Sequence, residues 1–147
     1  MDGNENKAAN RIEWLSMREI SAQEAHDLLQ KDSSVAYLDV RSTQEFRAGH
    51  PRGALHVPLM ERDPASGRMS PNPLFLSQVG ARIPKDRPVI CGCQSGGRSA
   101  RAVLMLNEAG FRDVTNMRGG FGGAKDPMSG QVLEAGWSQL GLPVEAG

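Results

Sequence analysis

The stretch Val89-Ile90-Cys91-Gly92-Cys93-Gln94-Ser95-Gly96-Gly97-Arg98-Ser99-Ala100-Arg101 constrains this chain more than any other. A short apolar run ends at a cysteine. Small and polar residues follow, two of them glycine, and then an arginine opens a segment with helical spacing. This order puts a thiol at the exit of a buried strand, in a tight loop beside a helix N-terminus. The positive end of that helix and the nearby cations favour thiolate over thiol. The rest of the chain reads as the scaffold that holds this loop.

Strand and helix patterns alternate on either side of it. Ser21-Ala22-Gln23-Glu24 has capping-box spacing, and Ala22, Ala25, Leu28 and Leu29 follow at helical intervals, which predicts a helix over 22–31 with His26 on the surface. Val35 to Val40 is the near-continuous apolar run of a buried parallel strand. Ser42-Thr43-Gln44-Glu45 starts a second, shorter helix that stops near Gly49; His50 to Gly53 is a turn, and Ala54 to Val57 a strand closed by Pro58. Residues 61–73 are a proline-rich surface excursion. Leu74 to Ile83 is read as a helix with Leu74, Leu76 and Val79 inward. After the cysteine loop, Ala100, Val103, Leu104 and Asn107 define one helical face, with Ala102 and Leu106 beside it and Gly110 at the left-handed cap. Val114 centres another strand. The glycines of Arg118 to Gly123 suggest a close backbone approach, and Trp137 and Leu140 suggest a short terminal helix. The expected fold is α/β, with a mainly parallel central sheet of about five strands and helices on both faces. Residues 1–11 are polar and aperiodic and are expected to form a flexible tail, with Ile12, Trp14 and Leu15 the first anchors of a single domain over 12–147.

Bulk properties exclude several classes. Seventeen basic and seventeen acidic side chains give zero formal net charge, so no overall basic field draws the chain to nucleic acid. No run approaches the roughly 18 apolar residues of a membrane-spanning helix, and the polar first residues do not read as a signal peptide. The two cysteines, Cys91 and Cys93, are too close in sequence to staple a fold. They point to reactivity and to a reducing, cytoplasmic compartment. A Cys-x-Cys with His26, His50 and His56 scattered elsewhere has no zinc-ligand spacing, so neither a metal nor another cofactor is expected.

Counting from Cys93, four residues precede Arg98. A loop of that length can wrap the sulfur with backbone N–H groups directed at it, a nest for an anion. A thiolate so held can attack an electrophilic sulfur, and the same nest stabilises the resulting persulfide anion. Cys91, two positions back, faces the packing as a small hydrophobe, or else acts as a resolving thiol. Arg98 either pairs with a carboxylate or holds the loop or the substrate anion. Asp39 and Arg41 read as scaffold at a strand end, and His50 and His56 as structural.

The loop Cys93-Gln94-Ser95-Gly96-Gly97-Arg98-Ser99 resembles the active-site loop of the rhodanese-like sulfurtransferase family. Leu38-Asp39-Val40-Arg41, Glu45-Phe46, Gly49-His50, Gly53-Ala54, Pro58, Arg118-Gly119-Gly120 and Gly141-Leu142-Pro143-Val144 resemble its other segments, in order, over roughly residues 17–145. The resemblance implies a rhodanese-like domain in which Cys93 takes a sulfane sulfur from thiosulfate or a persulfide and passes it to a thiol or cyanide-like acceptor. Gln94, Ser95, Gly96, Gly97, Arg98 and Ser99 would bind the anion, and a protein persulfide is one conceivable donor. Three features depart from the family: Pro51-Arg52 after Gly-His, Gly92 before the cysteine, and an apparent insertion over 122–134 that could wall the site. Two alternatives remain open. A cysteine-dependent phosphatase or arsenate reductase shares this architecture but places five residues between cysteine and arginine, whereas six positions after Cys93 is Ser99 and after Cys91 is Gly97. A non-catalytic binding module would not need the retained cysteine loop.

Overall fold

The computed structural model describes residues 18–147. The expected tail and the anchors Ile12, Trp14 and Leu15 lie outside them. Five strands form one parallel sheet: β1 (Glu19–Ile20), β2 (Ala36–Asp39), β4 (Leu55–His56), β7 (Val89–Gly92) and β8 (Val114–Met117), in the order β1-β8-β7-β2-β4. β7 is central and ends one residue before Cys93, so the cysteine sits at the carboxyl edge, where such sheets place their sites.

Alternation along the strands divides the core. Ala36, Leu38 and Val40 share one face with Val89, Cys91, Cys93 and Val114, packed against α3 (Phe75–Arg82) and α4 (Gly97–Glu108). Tyr37, Ile90 and Met117 face the other way, against α1 (Ala22–Lys31) and Trp137. Helices therefore cover both faces. α2 (Thr43–Ala48) lies over the carboxyl edge and buries none of its residues. Both capping boxes form, on Ser21/Glu24 and Ser42/Glu45.

Several side-chain assignments differ from expectation. In α3 the inward residues are Phe75, Val79 and Ile83 beyond its end, while Leu74 and Leu76 are exposed. Positions 75, 79 and 83 follow the helical repeat, whereas 74 and 76 are two apart and cannot share a face. α4 buries Ser99, Ala102, Val103 and Leu106, and Asn107 is exposed. In α1 Leu28 is exposed, and His26 is half-buried, edge-on to Trp137 at 5.5 Å between centroids. His50-Pro51 is a short strand, β3, paired antiparallel with β11 (Val144–Glu145), and the turn falls after it. Trp137 to Gly141 is a run of turns, not a helix.

Residues 61–73 fall mostly within a hairpin, β5 (Met60–Arg62) with β6 (Met69–Pro71), and the apparent insertion holds another, β9 (Ala124–Lys125) with β10 (Val132–Glu134). Their tips, Asp63-Pro-Ala-Ser-Gly67 and Asp126-Pro-Met-Ser-Gly130, are the same turn. The aspartate carboxylate accepts the backbone N–H two residues on, and the glycine N–H closes onto the aspartate carbonyl at 2.8 Å in both. Glycine is needed there, with φ of +71° and +72°.

Candidate active site

Strand β7 delivers Cys93 at its exit, and only three residues separate the cysteine from the start of α4. Gly96, at φ +113°, turns the chain so that its N–H donates to Cys93 Sγ at 3.1 Å. The Ser99 hydroxyl, on the first turn of α4, lies 3.3 Å from the same sulfur. Cys93 is 2% exposed. Its sulfur thus meets one backbone N–H, the Ser99 hydroxyl oxygen and the N-terminus of α4.

A second loop braces the first from below. Phe121 N–H donates to the Cys93 carbonyl at 2.8 Å and Gly122 N–H to the Gln94 carbonyl at 2.9 Å. Gly120, at φ +58°, makes this approach feasible: a Cβ on it would lie 2.4 Å from Cys93 O and 2.6 Å from Gln94 C. The close backbone approach expected of these glycines is therefore present, and its partner is the cysteine loop.

Charges around the loop are matched in pairs. Buried Arg41 binds Asp39 through Nε and Nη2, donates to the Gly49 carbonyl at 2.7 Å and to Gln94 Oε1 at 3.3 Å, and stacks over Phe121. Arg98 reaches across to α2 and grips Glu45 with both terminal nitrogens, at 2.7 and 2.8 Å. That fork holds the Glu45 carboxyl down at about 2. A cavity of about 410 Å³ opens beside the loop, lined by Arg41, Glu45, Ala48, Gly49, Gln94 and Phe121. No residue of the β9–β10 hairpin lines it; Glu134 instead binds Arg118, on the segment that braces the loop.

Of the residues singled out in sequence, Gly96 and Ser99 touch the sulfur, and Gln94 folds back onto Arg41 beside the cavity. Ser95 is exposed, Gly97 begins α4, and Arg98 is engaged by Glu45. Cys91 is fully buried in the apolar face, and burial, with the neighbouring Cys93, pushes its thiol far up. Gly92 is explained by Tyr37, whose hydroxyl would lie 1.7 Å from a Cβ there. His50 and His56 stack on Phe46, bonded to the carbonyls of Phe46 and Arg41. Among the described residues no group of three His, Cys, Asp or Glu side chains converges as metal ligands do.

Two residues escaped the sequence reading. Asn116, on β8 opposite Cys91, is 1% exposed and accepts from Ser99 Oγ at 2.6 Å through Oδ1. Its Nδ2 donates to Glu19 Oε2 at 2.9 Å and to the Gly96 carbonyl at 3.3 Å. Asn116 is a polar residue in the middle of a strand, a weak signal in sequence, and Glu19 carries none.

Comparison with known proteins agrees with this geometry. The chain is 42% identical over 127 residues to thiosulfate sulfurtransferase 16, chloroplastic, of Arabidopsis thaliana, covering 86% of this chain and 92% of that protein. It is 39% identical over 109 residues to the senescence-associated protein DIN1 of Raphanus sativus, covering 74% of this chain but only about half (51%) of that longer relative. The crystal structure of Rv0390 from M. tuberculosis superposes with a TM-score of 0.72 at 32% identity, over 88% of this chain and 97% of that one. The family model for the rhodanese-like domain matches residues 21–126, and with these relatives it shows that the chain belongs to the rhodanese-like domain family.

Proposed function

We propose that the protein is a sulfurtransferase that carries sulfane sulfur as a persulfide on Cys93. The observation that carries the reading is the Cys93 sulfur itself, met by Gly96 N–H at 3.1 Å and Ser99 Oγ at 3.3 Å at the N-terminus of α4. With thiosulfate as donor, the Cys93 thiolate attacks the outer sulfur. The Sγ–S bond forms, the S–S bond of thiosulfate breaks, and sulfite leaves with the electron pair. With cyanide as acceptor, carbon takes the outer sulfur as thiocyanate and the thiolate is regenerated. A thiol acceptor takes the same sulfur and leaves as its own persulfide. The loop from Gln94 to Ser99 holds the persulfide anion, mainly through backbone N–H groups and the helix end. Arg98, its charge matched by Glu45, ties the loop to α2.

The name of the Arabidopsis relative makes thiosulfate the first donor to try. Incubation with thiosulfate, polysulfide or glutathione persulfide, followed by peptide mass spectrometry, should show one added sulfur on Cys93 that cyanide removes as thiocyanate. Absence of that addition with every donor overturns the reading and leaves a binding module.

A further inference from the structure

Ser99 has one hydroxyl proton and three acceptors within reach: Cys93 Sγ at 3.3 Å, the Gly96 carbonyl at 3.2 Å and Asn116 Oδ1 at 2.6 Å. The orientation of Asn116 decides among them. One end of its amide faces the Glu19 carboxylate and the Gly96 carbonyl. Both accept only, so that end must be the NH₂. Oδ1 is left facing Ser99, and it too cannot donate. The 2.6 Å contact therefore requires the Ser99 proton to lie on the line to Asn116.

We propose that Asn116 is a positioning residue for the Cys93 thiol: by holding the Ser99 proton it favours a neutral Sγ over a thiolate. A protonated Cys93 can donate its S–H to the Ser99 oxygen while Ser99 donates to Asn116, and every group is satisfied. A thiolate accepts instead. To supply it, Ser99 must turn its proton away from Asn116, which leaves two oxygens 2.6 Å apart with their lone pairs opposed. In the persulfide the charge moves to the outer sulfur, Sγ is neutral again, and the proton returns to Asn116. The Glu19–Asn116–Ser99 chain thus tilts the balance towards the sulfur-loaded state and against the free thiolate. This last step rests on the Cys93 persulfide proposed above; the effect on the thiol does not.

The charged and titratable groups around the loop are the Asp39–Arg41 pair at the end of β2, Arg98 of α4 with its partner Glu45 of α2, Glu19 of β1, and the buried Tyr37 of β2 and Cys91 of β7. Of these, only Glu19 bonds the Asn116 side chain.

The test is the rate of Cys93 alkylation by iodoacetamide against pH, read by peptide mass, in wild type, Asn116→Leu, Ser99→Ala and the double variant. Asn116→Leu should lower the midpoint by about one pH unit, the size of one hydrogen bond to an ionised acceptor. The same change in the Ser99→Ala background should leave the midpoint where Ser99→Ala puts it. An unchanged or raised midpoint in folded Asn116→Leu overturns the proposal, as does an equal drop without Ser99. Should Asn116→Leu not fold by circular dichroism, Asn116→Ala replaces it with the same outcomes. In thiosulfate and sulfite above the midpoint, the loaded-to-free ratio should fall about tenfold in the variant, the equivalent of that one-unit shift. A protein that never loads sulfur but shows the alkylation shift refutes the function and keeps the role of Asn116.

Discussion

Gly120→Ala attacks the contact between the two loops at its narrowest point. Two costs follow from the structure. The first is conformational, since an alanine at φ +58° leaves its preferred regions at a cost of about 1–2 kcal/mol. The second is overlap. The new Cβ would sit 2.4 Å from Cys93 O, and because the atoms it meets are backbone, not the tip of a flexible chain, the loops must part by at least about 0.6 Å. Such a displacement stretches the Phe121 N–H to Cys93 O and Gly122 N–H to Gln94 O bonds from 2.8 and 2.9 Å beyond useful length, each worth about 1 kcal/mol. The sum is roughly 3–4 kcal/mol, within the stability of an ordinary domain. The variant should stay folded with a Tm lower by about 10 °C. Gly130→Ala separates the two costs, because it has φ +72° but nothing within 4 Å, so it should lose only the conformational part. Thermal unfolding by circular dichroism reads both, and single-turnover sulfur loading reads the displaced Cys93. Equal Tm losses in the two variants, with loading intact in Gly120→Ala, would refute the idea that the glycine exists to admit the cysteine loop.

Three further outcomes follow from the same contacts. The Glu45 carboxyl, at about 2 against an ordinary 4.5, contributes stability that is present above pH 4.5 and lost as pH falls through 2. In full that is roughly 3 kcal/mol, cut to roughly 1–2 kcal/mol by solvent screening, so urea midpoints of wild type and Glu45→Gln should differ at pH 7 and converge towards pH 2; a constant gap contradicts it. Gly92→Ala should destabilise by roughly 2–3 kcal/mol through overlap with Tyr37, and by less in a Tyr37→Phe background, since the hydroxyl makes the shortest contact. Cys91→Ala should cost about 1–2 kcal/mol from the emptied core site while sulfur loading on Cys93 stays at the wild-type rate; slowed loading would assign Cys91 a part in the chemistry.

The cysteine loop was legible because strand exit, glycine and helix start are adjacent in sequence, and local geometry alone puts Gly96 N–H and Ser99 on the sulfur. The parallel sheet was legible from apolar runs separated by capped helices. The phase of α3 was lost because Leu74, Phe75 and Leu76 are all apolar, so hydrophobicity alone does not choose the face; Val79 and Ile83, four and eight residues after Phe75, do. Pro51 was read as a turn because a proline lacks the N–H a central strand needs, yet β3 is a short edge pairing that tolerates it. The terminal turns around Trp137 looked helical because their spacing did. Gly136 packs there against the backbone of Gly122 and Gly123, with 2.2 Å between its virtual Cβ and Gly123 N, and the indole N–H donates to the Pro143 carbonyl. Asn116 and Glu19 were out of reach for a different reason. Their link to Cys93 exists only through the pairing of β1, β8 and β7, which no local pattern encodes.

Of the two readings of Arg98, pairing with a carboxylate or holding the loop or the substrate anion, the geometry shows the first. The residue's distance from Cys93 distinguishes this loop from the phosphatase pattern. The guanidinium is spent on Glu45, which is also the capping residue of α2 and accepts from Ser42 N–H at 3.1 Å. Arg41 is likewise matched by Asp39. With both cations neutralised by carboxylates, little net side-chain charge is left at the loop to attract a dianionic donor. Under the proposed function, recognition then falls to backbone N–H groups and the end of α4, which hold a single charge on the outer sulfur without discriminating the group that leaves. Under the same proposal, selection among donors passes to the shape of the cavity lined by α2 and Phe121, beside which the Arg98–Glu45 fork ties α2 to the loop.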